Sequence, residues 1–392
     1  MLHEFVRDPS EKTDTTLIAT VDTPCLLLDE GRLDANLQRL RKHLTELGVG
    51  LRPHLKTAKS IDVARRVLPT PTGPATVSTL KEAEVFARAG ITDMIYAVGI
   101  AAAKLERIVA LRRGGVDIAV ILDSLEQARA VCDASRAAKI RIPALIEIDC
   151  DGHRSGLLPD NAADLVAIGT VLAEGAELRG VLTHAGDSYS AKGIAEFQTC
   201  AERERAAAVQ AAGVLRSAGL PCPVVSVGAT PTALYGCDAS GLTEVRAGVF
   251  MFFDLVQAGI GVCSIVDIAL SVLTTVIGHR RDLAWLIIDA GWMALSRDRG
   301  TARQKIDQGY GVVCTIDGEL YADLIVTEAN QEHGIVARRP GSAGPMPDIP
   351  IGSKLRVLPN HACATAAQHE GYVVVHEGSP RVQAYWPRFG GW

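Results

Sequence analysis

The chain has 392 residues, of which 48% are hydrophobic and 22% are charged, and its formal net charge is −5. This composition excludes a disordered chain, and the length allows one large barrel with a companion domain. A mildly acidic protein is not expected to bind nucleic acid or an anionic membrane, so an anionic ligand must be held by local positive groups.

The cysteines and the N-terminal segment predict a cytoplasmic protein. The nine cysteines are dispersed without paired spacing, which is typical of thiols kept reduced. Met1–Asp14 is charged and lacks the apolar stretch of a signal peptide. Apolar runs such as Ile265–Ile277 are too short to span a bilayer, so we expect no membrane association.

The first part of the chain has the pattern of a parallel α/β protein. A short apolar run at 24–28 is followed by leucines at helical spacing. From residue 50 to 250 strand-like and helix-like runs then alternate, which is typical of βα units. The expected strands are 50–54, 75–79, 94–98, 118–122, 144–149, 179–184, 223–227 and 245–250.

Eight such strands over about 200 residues match a (β/α)8 TIM-like barrel in number and length. The run at 24–28 is then a ninth strand, which we expect to pair with later β structure outside the barrel. An open, doubly wound sheet is the alternative, although no Gly-x-Gly-x-x-Gly motif follows the first strand.

Beyond about residue 265 the pattern changes to a second, mostly antiparallel β domain. Helical periodicity disappears, and β-type runs are interrupted by Gly, Pro and Asp. These runs are 268–277, 284–289, 312–316, 354–358 and 371–376. We therefore expect a barrel over 25–264 and a β domain over 265–392, to which the N-terminal segment 1–24 is joined.

Lys56 follows the first expected barrel strand and precedes a helical run that begins near Ser60. A lysine at the carboxyl end of a barrel strand lies at the mouth, where barrel enzymes have their active sites. There an amine can be desolvated and act as a nucleophile, which suits a Schiff base with pyridoxal phosphate. For the residue taken alone, a surface lysine in a βα loop is the alternative.

Further polar residues follow two more barrel strands at the same edge. Arg154 is a candidate cation for a cofactor ring nitrogen, or a loop arginine paired with Asp149 or Asp151. His184 and Tyr189 offer ring faces and hydrogen-bonding groups after the next strand. A hydrogen-bonded histidine and a packed tyrosine, with no role in binding, are the alternative interpretation of this pair.

Glycine-containing turns end the last two barrel strands, at Ser226–Thr232 and Arg246–Gly248. Small residues and hydroxyl groups in such turns present backbone N–H groups to a phosphate, and barrels often bind phosphate at these last loops. Neither turn alone is specific for phosphate.

The second domain contains the motif Pro359-Asn-His-Ala-Cys363. His361 and Cys363 would point the same way on an extended segment. Imidazole and thiolate suit Zn²⁺ and tolerate other divalent first-row metals, and two protein ligands leave positions open for catalysis. A buried cysteine beside a hydrogen-bonded histidine is the alternative. Arginines at 297, 299 and 303 are possible carboxylate clamps.

Together these residues resemble the D-serine dehydratase/D-threonine aldolase family of fold-type III pyridoxal-phosphate enzymes, whose fold is alanine racemase-like. The resemblance extends from Thr23 to about Gly378. Arg52-Pro-His-Leu-Lys-Thr is similar to the family's cofactor-lysine motif, which implies that Lys56 carries pyridoxal phosphate. The other matching motifs are Arg154-x-Gly156, His184-Ala-Gly186, Gly228-x-Thr230, Gln331-Glu-His-Gly334 and Pro359-Asn-His-x-Cys363.

The resemblance also implies a set of site residues and a homodimer. The implied cofactor residues are Lys56, Arg154, His184, Tyr189, Gly228, Thr230, Gly248 and Val249. Arg154 would keep the ring nitrogen unprotonated. The implied metal residues are His361 and Cys363, and the implied substrate residues are Gln331, His333 and Arg297.

Two features resemble the dehydratase branch of the family. Its aldolases usually have a His-Cys-Asp arrangement at the metal, whereas this chain has His361-Ala-Cys363. Four further segments are similar to bacterial D-threo-3-hydroxyaspartate dehydratases: Val77–Glu84, Thr183–Gly186, Ala290–Ala294 and Arg297–Lys305.

We therefore expect a dehydratase of β-hydroxy-D-amino acids, which converts D-threo-3-hydroxyaspartate to oxaloacetate and ammonia, or D-serine to pyruvate and ammonia. Lys56 would remove the Cα proton, and Zn²⁺, Mn²⁺ or Co²⁺ on His361 and Cys363 would act on the β-hydroxyl group as a Lewis acid. Aldol cleavage to glycine and an aldehyde is one alternative. A non-catalytic pyridoxal-phosphate carrier is the other, although such carriers resemble the barrel alone.

Overall fold

The computed structural model describes residues 16–152, 154–376 and 378–392. Its contacts divide the chain into two units. The barrel unit contains Asp34–Asp267 and Arg388–Trp392, and the β unit contains the described residues up to Leu33 together with Ile268–Pro387. The barrel was expected over 25–264 and the β domain over 265–392. In the structure, residues 25–33 lie in the β unit, and the last five residues of the chain lie in the barrel unit.

The strands and helices follow in chain order. The strands are β1 Cys25–Asp29, β2 Gly50–Pro53, β3 Ala75–Val77, β4 Asp93–Gly99, β5 Asp117–Leu122, β6 Pro143–Ile148, β7 Glu177–Thr183, β8 Val224–Val227, β9 Glu244–Ala247, β10 Leu270–Arg280, β11 Trp285–Ile288, β12 Val312–Thr315, β13 Leu320–Ala329, β14 Gly334–Arg338, β15 Lys354–Leu358, β16 Gly371–Val375 and β17 Val382–Pro387. The helices are α1 Glu30–Glu46, α2 Ile61–Val67, α3 Leu80–Arg88, α4 Leu105–Arg113, α5 Leu125–Ala138, α6 Ala162–Gly175, α7 Ile194–Ser217, α8 Thr230–Tyr235, α9 Leu255–Ile260, α10 Trp292–Leu295 and α11 Ala362–Ala366.

The barrel unit is a closed sheet of eight parallel strands, as the alternating pattern predicts. The strands pair in the order β2-β9-β8-β7-β6-β5-β4-β3. A parallel bridge between His54 and Thr76 joins the two ends of this order, and the Leu55 N–H donates to the Thr76 carbonyl at 2.9 Å. The closing seam therefore lies directly before Lys56.

Local sequence explains how barrel helices begin after strands. The Thr79 hydroxyl accepts from the Glu82 N–H at 3.0 Å, and the Ser124 hydroxyl accepts from the Gln127 N–H at 3.3 Å. Each is a side-chain cap that satisfies an N–H left open at a helix start. One cluster of barrel-strand residues is fully apolar: Ile95, Ala119, Ile121, Leu145 and Leu182. No described helix is both long and apolar enough to cross a membrane.

The β unit is a mostly antiparallel sheet in the order β11-β14-β13-β12-β15-β10-β1-β16-β17. Strand β10 also pairs with β11, so six of the strands form a closed ring. The predicted ninth strand pairs outside the barrel, as expected, because β1 runs antiparallel to β10 and parallel to β16. Val382 N–H donates to Thr16 O, so the described part of segment 1–24 joins this unit; residues 1–15 lie outside the described residues.

Three strands of the β unit escaped prediction. The first half of β13 is largely exposed, and β17 alternates between half-buried and exposed residues throughout. Neither presents the continuous apolar run on which the prediction relied. The short β14 begins at Gly334, which reads as a turn residue.

Candidate active site

Lys56 lies in a turn at the carboxyl end of β2, and its side chain is exposed. The turn is closed by the Lys59 N–H, which donates to the Leu55 carbonyl at 2.9 Å. The Lys59 amine pairs with the buried Glu82 carboxylate at 3.2 Å, and the Lys59 carbonyl accepts from the Phe389 N–H at 2.9 Å. Of the two lysines in this turn, Lys59 is thus committed to an ion pair, whereas Lys56 faces solvent.

Two histidines beside Lys56 are held neutral near pH 7. Burial lowers the pKa of His54 well below its usual value, and the charges of Lys56 and Arg246 add to this effect. Burial likewise lowers the pKa of His184 to about 4, although a hydrogen bond to Gly228 opposes it. Because a carbonyl can only accept, His184 Nδ1 donates to Gly228 O at 2.7 Å. The Lys56 backbone N–H lies 3.5 Å from His54 Nδ1, which places the His54 ring beside Lys56.

The turn after β8 brings Gly228, Thr230 and Tyr189 together. The Thr230 N–H donates to the Tyr189 hydroxyl at 3.4 Å. The Thr230 hydroxyl is fully buried and has no hydrogen-bond partner among the described residues. Gly228 has a φ of +150°, and a Cβ there would overlap the Arg246 carbonyl, so only glycine fits. The Thr230 hydroxyl therefore has a proton available to donate.

The turn after β9 lies against the Lys56 loop. A Cβ at Gly248 would lie 3.0 Å from the Thr57 hydroxyl and 3.2 Å from the His54 carbonyl. Val249 is buried and begins a short 3-10 turn that follows Gly248. The structure therefore brings Gly248 and Val249 to the same end of the barrel as Lys56.

Arg154 is half exposed and lies near Glu147. Its Nη2 is 4.0 Å from Glu147 Oε1, and its side chain is 54% exposed. The Asp149 carboxylate instead accepts from the backbone N–H groups of Asp151 and Gly152. The positive charge of Arg154 is one of the influences that lower the pKa of His184.

The metal motif does not form the extended segment that the spacing suggested. His361 is extended, with φ −136°, but it caps α11, and Cys363 lies within that helix. The extended geometry is therefore a wrong expectation, because the backbone turns helical directly after His361. No cluster of three or more His, Cys, Asp or Glu side chains able to hold a metal is found in the described residues.

The imidazole of His361 nevertheless has the partner that a metal-binding histidine usually has. Its Nδ1 lies 2.7 Å from Asp298 Oδ2, and this hydrogen bond lowers the pKa of the Asp298 carboxyl. Metal-binding histidines generally donate their second ring nitrogen to such a carboxylate. With the thiol of Cys363 two residues away, the donor set fits a divalent metal held by two protein ligands.

The suggested substrate residues lie in loops of the β unit. Gln331 and His333 are exposed in the turn between β13 and β14. That turn holds the start of α10, because the Met293 N–H donates to the Gln331 carbonyl at 3.1 Å. The exposed Arg297 guanidinium stacks on the Trp292 ring at 5.1 Å. All three side chains are accessible to a small anion.

Sequence reasoning overlooked three buried or paired groups. Arg246, at the end of β9, donates to Ser226 Oγ at 2.6 Å and to Thr183 O at 2.5 Å inside the barrel. Asp298, the partner of His361, was not singled out, although the arginines at 297 and 299 on either side of it were. Glu204 stands among exposed charges on α7, but its helical spacing from the buried Phe197 was a signal that it faces inward.

A family model described as the alanine racemase N-terminal domain matches residues 28–256, and one described as a putative serine dehydratase domain matches residues 269–375. The chain is 51% identical over 385 residues to D-threo-3-hydroxyaspartate dehydratase of Delftia sp. strain HT23, covering 97% of this chain and 100% of that one. The chain belongs to the D-serine dehydratase/D-threonine aldolase family. It is thus a pyridoxal-phosphate-dependent lyase with an alanine racemase-like fold.

Other members of the family extend the likeness. D-serine dehydratase of Dictyostelium discoideum is 27% identical, with 94% of this chain and 97% of that one covered. The solved structure of the Delftia dehydratase superposes with a TM-score of 0.92 at 50% identity, covering 96% of this chain and 100% of that one. A variant of that dehydratase has also been solved in a metal-free form.

Proposed function

We propose that this lyase dehydrates D-threo-3-hydroxyaspartate, with a divalent metal as its second cofactor. The observation that carries the proposal is the His361–Asp298 pair beside Cys363, which supplies a metal-binding donor set in a chain that is similar throughout to a dehydratase of this substrate. Loss of water from the substrate leaves an enamine, which tautomerises and takes up water to release oxaloacetate and ammonia.

The residues of the barrel unit would hold pyridoxal phosphate. Lys56 would bind its aldehyde carbon, and the buried Thr230 hydroxyl, with the turn at Gly248 and Val249, would hold the phosphate. The neutral His184 ring would lie against the cofactor. When bound, pyridoxal phosphate supplies the electron sink for the negative charge that develops at Cα.

Lys56 is the proposed base for the Cα proton. With substrate bound, the Lys56 amine would be free to accept the Cα proton. The neighbouring imidazoles of His54 and His184 are held neutral by burial, so neither competes as a cationic acid near pH 7. Arg154 would stand as a fixed cation near the cofactor ring.

The metal residues of the β unit would assist the leaving group. A divalent metal there supplies a Lewis acid for the β-hydroxyl group. Asp298 accepts from Nδ1 of His361, so the other ring nitrogen would be the one to hold the metal. Gln331, His333 and Arg297 are the side chains proposed to bind the substrate carboxylates.

We also propose a homodimer in the cytoplasm. The support for this compartment is the dispersed spacing of the nine cysteines, which favours thiols kept reduced. Sedimentation should show a dimer, and a fully active monomer would contradict the proposal.

A screen with purified holoenzyme tests the proposed reaction. D-threo-3-hydroxyaspartate, D-serine and D-threonine are supplied separately, and ammonia, 2-oxo acid and glycine are all measured. We expect ammonia and oxaloacetate in equal amounts from the first substrate, at the highest kcat/KM. Glycine with an aldehyde would indicate aldol cleavage instead, and no turnover of any substrate with metal present would favour a carrier.

A further inference from the structure

Glu204 is a buried carboxylate that the proposed reaction does not use. It lies on α7 in the barrel unit and is 1% exposed. Burial raises the pKa of its carboxyl group, and hydrogen bonds from Thr232 and Ala185 oppose the shift. A carboxylate in such a position is costly unless its oxygens are hydrogen-bonded, so its partners identify its role.

Both oxygens of Glu204 bind groups at the ends of barrel strands. Oε1 accepts from the Ala185 N–H at 2.8 Å and from the Gly228 N–H at 2.9 Å. Oε2 accepts from the Thr232 hydroxyl at 2.7 Å. That hydroxyl in turn accepts from the Ala229 N–H at 3.1 Å. One side chain thus fixes the turn after β7 and the turn after β8 together.

These two turns carry residues assigned above to the cofactor. Ala185 directly follows His184, and Gly228 and Thr232 flank Thr230 on either side. The Gly228 N–H already donates to Glu204, so it is not available to a phosphate. The Thr230 hydroxyl has no partner among the described residues and is therefore the donor in this turn that can bind a phosphate oxygen. The His184 ring adds a second link to the Gly228 carbonyl.

We propose that Glu204 is a positioning residue that holds the His184 turn and the Gly228–Thr232 turn in the arrangement that binds pyridoxal phosphate. The proposal rests on the cofactor role proposed for Thr230. It does not rest on the dehydration reaction, because its test measures cofactor binding. A holoenzyme that binds cofactor and fails to dehydrate would refute the proposed function and leave this test intact.

Two substitutions separate the hydrogen bonds from the charge. In Glu204→Gln the side-chain carbonyl still accepts from both backbone N–H groups. The amide then faces Thr232, whose hydroxyl turns its proton to the Ala229 carbonyl, 3.2 Å away. In Glu204→Leu the N–H groups of Ala185 and Gly228 both lose their buried acceptor, which is the costly case for buried polar groups.

The test titrates each apo-enzyme with pyridoxal phosphate and records the 31P NMR signal of the bound phosphate. We expect Glu204→Leu to raise the Kd about tenfold or more and to shift the 31P signal, whereas Glu204→Gln stays within about threefold of wild type. The matched control Glu202→Gln, an exposed position of the same helix that pairs with Arg205, should leave both readouts unchanged.

A folded Glu204→Leu variant with wild-type Kd and 31P signal would overturn the proposal. If that variant does not fold, Thr232→Val removes a single donor. We expect it to raise the Kd about threefold, and an unaltered Kd would overturn the proposal equally.

Discussion

His361 Nδ1 lies 2.7 Å from Asp298 Oδ2, while the other oxygen of that carboxylate accepts from the Gly300 N–H at 2.8 Å. The loop thus fixes the carboxylate, and the carboxylate fixes the imidazole. The buried hydrogen bond between Thr301 and Asn360 ties the same loop to the residue before His361 at 2.6 Å. The ring is therefore oriented before any metal arrives, which lowers the entropy lost on binding.

Asp298→Ala should weaken metal binding about 10- to 100-fold, because His361 loses the partner that sets its tautomer and orientation. Competition with a chromophoric chelator measures the Zn²⁺ affinity, and the absorption spectrum of the Co²⁺ form reports the ligand field. Asp307→Ala, which breaks an ion pair with Arg299 nearby, is the matched control and should keep wild-type affinity. Equal Zn²⁺ affinity in the two variants would show that Asp298 does not orient His361 for metal binding.

Metal removal should leave the fold and the bound cofactor intact, because two protein ligands do not make a closed structural site. Chelator-treated enzyme is expected to keep its circular dichroism and its exchange of the Cα proton with deuterium, and to lose ammonia release. Zn²⁺, Mn²⁺ or Co²⁺ should restore release at different rates. An apo-protein that unfolds, or that eliminates water undiminished, contradicts a catalytic metal.

Lys56→Ala should abolish turnover and covalent attachment of the cofactor, because no other amine takes its place: the Lys59 amine in the same turn is paired with Glu82. Borohydride reduction followed by peptide mapping locates the attachment. Wild type and the exposed control Lys42→Ala should carry the label on Lys56. A label that persists in Lys56→Ala, on Lys59 or elsewhere, would contradict the assignment of Lys56 as the cofactor lysine.

Acid should destabilise the barrel unit through His184, whose pKa falls from 6.5 to about 4 on folding. Between these values the unfolded chain binds a proton that the folded chain does not, so the free energy of unfolding rises with pH. It should therefore decline as pH is lowered from about 6.5 to about 4 and level off above 6.5. Urea denaturation at pH 7, 6 and 5 measures this decline, which should be smaller in His184→Gln; an equal decline in both proteins contradicts it.

The barrel was predictable because its signals are local. Buried parallel strands give short apolar runs, and most of them end where a polar residue or a glycine follows, as at Asp123 after β5 and Gly228 after β8. The prediction of β9 as far as residue 250 was too long, since the strand ends at Ala247 and the chain turns at Gly248. Gly248 marks the start of that turn, but the apolar residues 249–253 directly after it extended the apparent strand.

The remaining site depends on contacts between distant segments. The pairing of Asp298 with His361 joins residues 63 positions apart, and that of Lys59 with Glu82 depends on how two adjacent βα units meet. Neither leaves a periodic trace in the sequence. The helical turn at Cys363 was missed for a different reason: five residues are too few to show a period.

The path of the chain between its units has a consequence for biosynthesis. The apolar strand β1 emerges from the ribosome early, but its partners β10 and β16 lie beyond the whole barrel in the chain. Conversely, Arg388–Trp392 reach the barrel unit only after the β unit has been made, and Phe389 then binds the Lys59 carbonyl. The sheet of the β unit cannot be completed before β16 has been made, so a nascent chain released early exposes Leu26–Leu28 and becomes a client for chaperones.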